Sequence, residues 1–152
     1  MNQIAALLEP DRIVIDLDVA TKARLFDAVG ELFAREAGLT GSAVAASLGA
    51  RERLGSTGLG QGIAIPHGRI RGLAHAIGGF VRLAHPIAFD APDGKPVAQV
   101  FVLLVPEHAT DAHLQLLSEL AQMFSERAFR ERLADAPDSA TLRRVFDDWQ
   151  PQ

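Results

Sequence analysis

The sequence contains no cysteine, which excludes disulfide frameworks, thiol catalysis and cysteine-ligated zinc or iron–sulfur sites together. Such a chain suits a reducing compartment, and a cytoplasmic location is expected. No window approaches the ~18 apolar residues of a membrane span, and residues 1–10 have neither a basic start nor a long apolar run. The expectation is a protein neither secreted nor membrane-embedded. A basic stripe is missing as well: 15 Lys and Arg stand among 19 Asp and Glu, a formal charge of −4, so no nucleic-acid partner is expected. There is no low-complexity tract and no repeat of fixed period, and a hydrophobic content of 48% belongs to a globular chain rather than a disordered one. With 152 residues the chain can bury a core without disulfides or a structural metal, and residues 1–152 are expected to form a single domain.

The familiar cradles and catalytic signatures are also absent. Gly55 and Gly60 have the spacing of the two P-loop glycines, but Gln61-Gly62 stands where a nucleotide cradle needs Lys and Ser or Thr. Gly58 and Gly60 are not followed by the third glycine of a dinucleotide fingerprint. No H-E-x-x-H and no G-x-S-x-G occurs. His108 and His113 are five apart, a poor angle for sharing a metal on one helix face. Neither a metal nor a cofactor is expected.

What is present reads as α/β. A brief N-terminal helix precedes a strand over residues 12–17, and Leu25, Phe26, Val29, Leu32 and Phe33 recur at helical spacing over residues 21–36, which Gly38 stops. A second helix over residues 42–53 places Val44, Leu48 and Arg51 on one face. A glycine-rich loop, residues 55–62, leads into a short apolar strand over 63–65 that stops sharply at Pro66-His67-Gly68. Residues 77–83, 87–89 and 97–105 read as strands, the last nearly unbroken in its apolar character like a strand buried on both faces, with a turn at Asp93-Gly94. A long helix capped by Thr110 or Asp111 follows, then a last one capped by Asp138 or Ser139. The fold class is thus a single α/β domain, a mixed β-sheet flanked by α-helices.

His67 is the residue whose surroundings suggest chemistry. It ends an apolar strand between a rigid Pro66 and Gly68, where a backbone or an anion can approach closely. A histidine beside a glycine can be a mere turn residue. Here, however, the glycine segment offers successive N–H groups for an anion nest, Ser56 and Thr57 add hydroxyl donors, and Arg51 adds a forked cation. A neutral imidazole is a competent nucleophile near pH 7 and can carry a phosphoryl group without a metal. His113 falls in the first turn of the long helix, whose positive end favours a neutral ring. His75, His85 and His108 lack such a context and read as surface or turn residues.

These residues resemble a known family. Residues 51–68 (Arg-Glu-Arg-Leu-Gly-Ser-Thr-Gly-Leu-Gly-Gln-Gly-Ile-Ala-Ile-Pro-His-Gly), with Pro86-Ile87-Ala88-Phe89-Asp90, Leu103-Leu104-Val105-Pro106 and His113-Leu114-Gln115-Leu116-Leu117, are similar to the IIA proteins of the phosphoenolpyruvate-dependent phosphotransferase system, in the fructose/mannitol and nitrogen-regulatory branch. The resemblance covers nearly the whole chain. It implies a phosphocarrier rather than a self-contained enzyme, with a phosphoryl acceptor at His67 and His113 and Arg51 beside it; with the residue reading above, His113 is expected to orient and Arg51 to stabilise the phosphate, with Ser56, Thr57 and Gly68 in its neighbourhood. A small histidine-phosphorylated carrier protein would be the donor.

The chain departs from the commonest pattern at Gln61, where Asn is usual, and at Arg69, where Lys is frequent; neither is expected to touch the acceptor. The chain is expected to stand alone, without a fused carrier-protein or transporter segment, and the stretches 54–58 and 87–94 look most like nitrogen-regulatory members. Those signal to regulatory target proteins through their phosphorylation state. The alternatives are a sugar-specific IIA component that passes phosphate to a transporter IIB domain, and an interaction domain whose phosphate serves only to alter its surface.

Overall fold

The computed structural model describes residues 2–35, 38–108 and 110–151. Along the chain run α1 (Gln3–Ala6), β1 (Leu8–Leu17), α2 (Lys22–Phe33), α3 (Gly41–Arg53), β2 (Gly58–Gly60), β3 (Ile63–Ala64), β4 (His67–Ile70), β5 (Ile77–Ile87), β6 (Val97–Pro106), α4 (Asp111–Ser125), α5 (Arg127–Asp135) and α6 (Ser139–Asp148). Helix starts follow side-chain chemistry. Thr21, Thr40 and Asp138 each accept a backbone N–H from three residues on, satisfying one of the donors that a helix N-terminus leaves without a partner.

The sheet is mixed. β5 and β6 form its antiparallel centre, β1 joins β5 in parallel on one side, and β3 and β4 both join β6 in parallel on the other, with β2 antiparallel to β3. The apolar run of β6 is continuous because both its faces are covered. Phe101, Leu103 and Val105 point to the side of α1, α4, α5 and α6, whereas Val100, Val102 and Leu104 point to the side of α2 and α3. Phe146 of α6 centres the first layer, its ring 5.3 Å from Phe80, 5.7 Å from Phe101 and 5.4 Å from Phe129.

Four sequence expectations are corrected. The first strand begins at Leu8 rather than Arg12, with a pairing irregularity between Leu8 and Ile13 that accommodates Pro10. Residues 77–83 and 87–89 are not two strands: β5 is one strand to Ile87, and its register with β6 shifts between Arg82 and Ile87, around Pro86, which has no N–H to give. The glycine-rich segment, expected as loop, contributes the short edge strand β2. Helix α5 was not foreseen. Its inward face is Phe129 and Leu133 alone, one i, i+4 pair among charges, too short a pattern to stand out. The expected end of the second element at Glu36 lies outside the described residues.

Candidate functional site

His67 does not end a strand; it opens one. Ile63 lies opposite Gln99 and Ala64 opposite Val100, and beyond Pro66 His67 lies opposite Leu103 and Gly68 opposite Leu104, so β3 and β4 keep one register along β6. Pro66 interrupts the pairing because it lacks a donor, although its carbonyl still accepts from the Leu103 N–H at 3.0 Å. At this break the Ile65 carbonyl accepts a hydrogen bond from His67 Nδ1 at 2.8 Å. A carbonyl only accepts, so Nδ1 carries the proton, and in the neutral ring Nε2 keeps its lone pair. Burial lowers the pKa of His67 from its ordinary 6.5; the Ile65 bond opposes this, the Arg51 guanidinium adds to it, and the Glu52 carboxylate opposes it. The ring is half-buried and mostly neutral near pH 7.

Helix α3 supplies the cation. Val44 and Leu48 anchor it to the sheet, fully buried, and Arg51, one further turn along the same face, reaches the wall of the site. Its Nη1 donates to the Gly55 carbonyl at 2.8 Å, and no other hydrogen bond of its guanidinium occurs among the described residues. The helix can come this close because position 68 is glycine: a Cβ there would stand 2.3 Å from Ser47 Oγ. That hydroxyl instead donates to the Arg69 carbonyl at 2.9 Å, tying α3 to β4. Gly68 thus admits the helix, and it also lines the cavity.

Helix α4 supplies the second histidine. His113 Nδ1 accepts the backbone N–H of Thr110 at 2.9 Å, capping the helix from its third position. With Nδ1 as acceptor, the neutral ring carries its proton on Nε2, the opposite tautomer to His67. One ring therefore offers a lone pair and the other a donor.

These parts meet in an open cavity of about 640 Å³ lined by Arg51, Leu54, His67, Gly68, Arg69, His113, Leu114 and other residues of α3, β4, β6 and α4. The three side chains singled out from sequence are brought together; Ser56 and Thr57 are not. Ser56 Oγ donates to the Phe89 carbonyl at 2.8 Å and Thr57 Oγ1 to Glu52 at 2.6 Å, and neither residue lines the cavity. The glycine segment forms no nest there either: the N–H groups of Gly55, Gly58 and Gln61 go to Glu52 O, Ser56 Oγ and Asp93 Oδ2. His75, His85 and His108 are exposed and outside the cavity. Among the described residues no cluster of His, Asp and Glu could hold a metal ion, and no helix is long and apolar enough to cross a membrane.

Two residues near the site were not assigned to it from sequence: Arg69, expected to stay clear of the acceptor, and Glu52. Arg69 lines the cavity two residues after His67, the same-face spacing of a strand, and would have been found had the strand been continued past Pro66. Glu52 is a buried carboxylate, 6% exposed, in an ion pair with Lys22 Nζ at 2.8 Å. Its partners lie 30 residues before and five after it, and no local pattern announces them.

The sequence from residue 6 to residue 149 matches the family described as "Phosphoenolpyruvate-dependent sugar phosphotransferase system, EIIA 2". A protein of Pseudomonas aeruginosa named "Nitrogen regulatory protein" is 40% identical over 151 residues, 99% of this chain and 98% of that one. The crystal structure of the nitrogen regulatory protein IIA-Ntr from Neisseria meningitidis superposes with a TM-score of 0.90 at 49% identity, covering 95% of this chain and 99% of that one. The mannitol IIA structure from Escherichia coli shares the fold, with a TM-score of 0.75 at 20% identity over 90% of this chain and 96% of that one.

Proposed function

This chain belongs to the EIIA 2 family of the phosphoenolpyruvate-dependent sugar phosphotransferase system, and from that membership we propose that it is a nitrogen-regulatory phosphocarrier whose acceptor is Nε2 of His67. The observation that carries the reading is the Nδ1–H bond to the Ile65 carbonyl, which leaves the lone pair on Nε2 in a cavity that also holds a guanidinium and an imidazole donor.

In the transfer, the P–N bond of a donor phosphohistidine breaks as the His67 Nε2 lone pair forms a new P–N bond, and the donor imidazole leaves with the electron pair. His67 keeps its Nδ1 proton, so its ring gains positive character as the phosphoryl group arrives. The Ile65 carbonyl stabilises that ring, consistent with its opposing the burial-driven fall in pKa. Arg51 and the Nε2–H of His113 face the developing phosphoryl charge, arginine through a planar fork suited to two oxygens. No metal or cofactor is required by this chemistry.

The donor is a small histidine-phosphorylated carrier protein. The exposed apolar side chains of Leu54 and Leu114 flank the cavity and suit contact with a protein rather than a free small molecule. We assign the output to regulatory target proteins in the cytoplasm, because the relatives named for nitrogen regulation match along almost the whole chain, whereas the mannitol protein shares the fold at 20% identity. The test is a proton–nitrogen correlation spectrum of the phosphorylated protein. Phosphorus on Nε2 of His67 is expected; phosphorus on Nδ1, or on another histidine, would remove the reading.

A further inference from the structure

A buried carboxylate is costly unless it is paired and hydrogen-bonded, and Glu52 is paired with Lys22, whose Nζ also lies 3.4 Å from the exposed Asp90 carboxylate. Lys22 is the first residue of α2, the helix end at which the macrodipole disfavours a cation. Glu52 Oε2 holds its ammonium at 2.8 Å, and the Phe89 ring lies 4.5 Å from Nζ. What this pair grips is Thr57. Glu52 Oε1 accepts the Thr57 hydroxyl at 2.6 Å, and the Thr57 N–H lies 3.1 and 3.2 Å from the two carboxylate oxygens.

From Thr57 the connection runs to the acceptor. The Thr57 carbonyl accepts the Ile65 N–H at 3.0 Å, and the Ile65 carbonyl accepts His67 Nδ1–H at 2.8 Å. Lys22, Glu52, Thr57, Ile65 and His67 thus form one unbroken line of ion pair, hydrogen bonds and peptide units. Glu52 is not part of the cavity wall; it reaches the ring along that line and, through space, by its charge.

We propose that Glu52 is a positioning residue for phosphoryl acceptance: through Thr57 it fixes the Ile65 carbonyl, and through that carbonyl it keeps the proton of His67 on Nδ1 and the lone pair on Nε2. The inference rests on the reading of His67 as the acceptor. The hydrogen bond made by one ring nitrogen sets which one carries the proton, and groups that orient a reacting imidazole from behind commonly matter to its reactivity. The Glu52 charge also favours the cationic character that the ring gains on phosphorylation, in the same sense as the Ile65 bond.

The test uses the full chain and the variants Glu52→Gln, Thr57→Val and Thr57→Ser, read by melting temperature, by the nitrogen shifts of the His67 ring and by the rate of loading from a histidine-phosphorylated carrier protein. Glutamine keeps the size and can still accept from the Thr57 hydroxyl, but loses the nearer of the two charges that hold Lys22. Glu52→Gln and Thr57→Val are expected to give a mixed His67 tautomer and loading slower by about tenfold, while Thr57→Ser keeps the parent signature and rate. Folded variants with unchanged ring shifts and unchanged loading would overturn the proposal. So would failure of both Glu52→Gln and Thr57→Val to fold, which assigns the pair to the core, or a Thr57→Ser protein as impaired as Thr57→Val. If the parent chain itself takes no phosphate, the reading of His67 falls, and the ring shifts, which need no phosphate, still decide the role of Glu52.

Discussion

His67 Nδ1 is hydrogen-bonded at 2.8 Å to the carbonyl of Ile65, two residues earlier, across a proline that breaks the strand between them. The bond does two things. It sets which ring nitrogen carries the proton and which keeps its lone pair, and it works against the burial that lowers the pKa of the ring.

The first prediction concerns pH. In the proposed transfer the nucleophile is the neutral ring, so loading should quicken as pH rises through a midpoint below 6.5 and then level off, because burial lowers the pKa of His67 from that value. Stability follows with a definite sign. Between the lowered folded pKa and the ordinary 6.5, the unfolded chain binds a proton that the native ring refuses. This contribution therefore weakens the fold as pH falls below 6.5 and levels off beneath the folded value. Melting curves of the parent and His67→Gln over roughly pH 5 to 8 measure it. The parent should lose more stability on the acid side, and parallel curves would count against the lowered pKa.

Arg51 is expected to matter by geometry as well as charge. One guanidinium nitrogen is already committed to the Gly55 carbonyl, which fixes the fork while leaving its other donors for phosphate. Charge-assisted bonds contribute about 1.5–3 kcal/mol, so Arg51→Ala should load at least about tenfold more slowly by that measure. Arg51→Lys should recover only part of the loss, since lysine offers a point charge. Equal rates for Arg51→Lys and the parent would leave only a charge requirement.

At His113 two roles can be separated. His113→Ala removes the side chain that caps α4 and should cost roughly 0.5–2 kcal/mol, as the loss of a helix cap does, together with slower transfer. Glutamine is favoured at this third position of a capping box, so His113→Gln should restore the melting temperature without restoring the rate. Rate recovery in step with stability would mean that the ring acts on transfer only through the helix.

Gly68→Ala tests the docking of α3. The added methyl would stand 2.3 Å from Ser47 Oγ, and overpacking of this kind costs about 1–3 kcal/mol. Because α3 carries Arg51, loading should fall too. Adding Ser47→Ala removes the closest atom and should recover part of both losses; no recovery in melting temperature would place the strain elsewhere.

The parts of this molecule that follow from local pattern were legible in the sequence. The doubly buried β6 shows as an apolar run, α2 as an i, i+4, i+7 pattern behind Thr21, and Arg51 as an extension of the face set by Val44 and Leu48. The rest depends on pairing between distant segments. Pro66 looks like a stop because it cannot donate, yet β6 holds the chain in register on both sides of it, and His67 and Arg69 therefore share a face. Ser56 and Thr57 look like phosphate ligands as isolated hydroxyls, but Phe89 and Glu52 take them. The Pro66-His67-Gly68 setting and the resemblance of residues 51–68 to the family both pointed to His67, though neither revealed the Lys22–Glu52 pair behind it.

The central claim, that this chain carries phosphate on His67, is tested most directly by mixing it with phosphoenolpyruvate, the first enzyme of the system and the histidine carrier, then measuring its intact mass with and without mild acid. The parent should gain one acid-labile phosphoryl group and His67→Ala should gain none while melting as a folded protein. A parent chain of unchanged mass, or a folded His67→Ala protein that still takes up the group, would contradict the account.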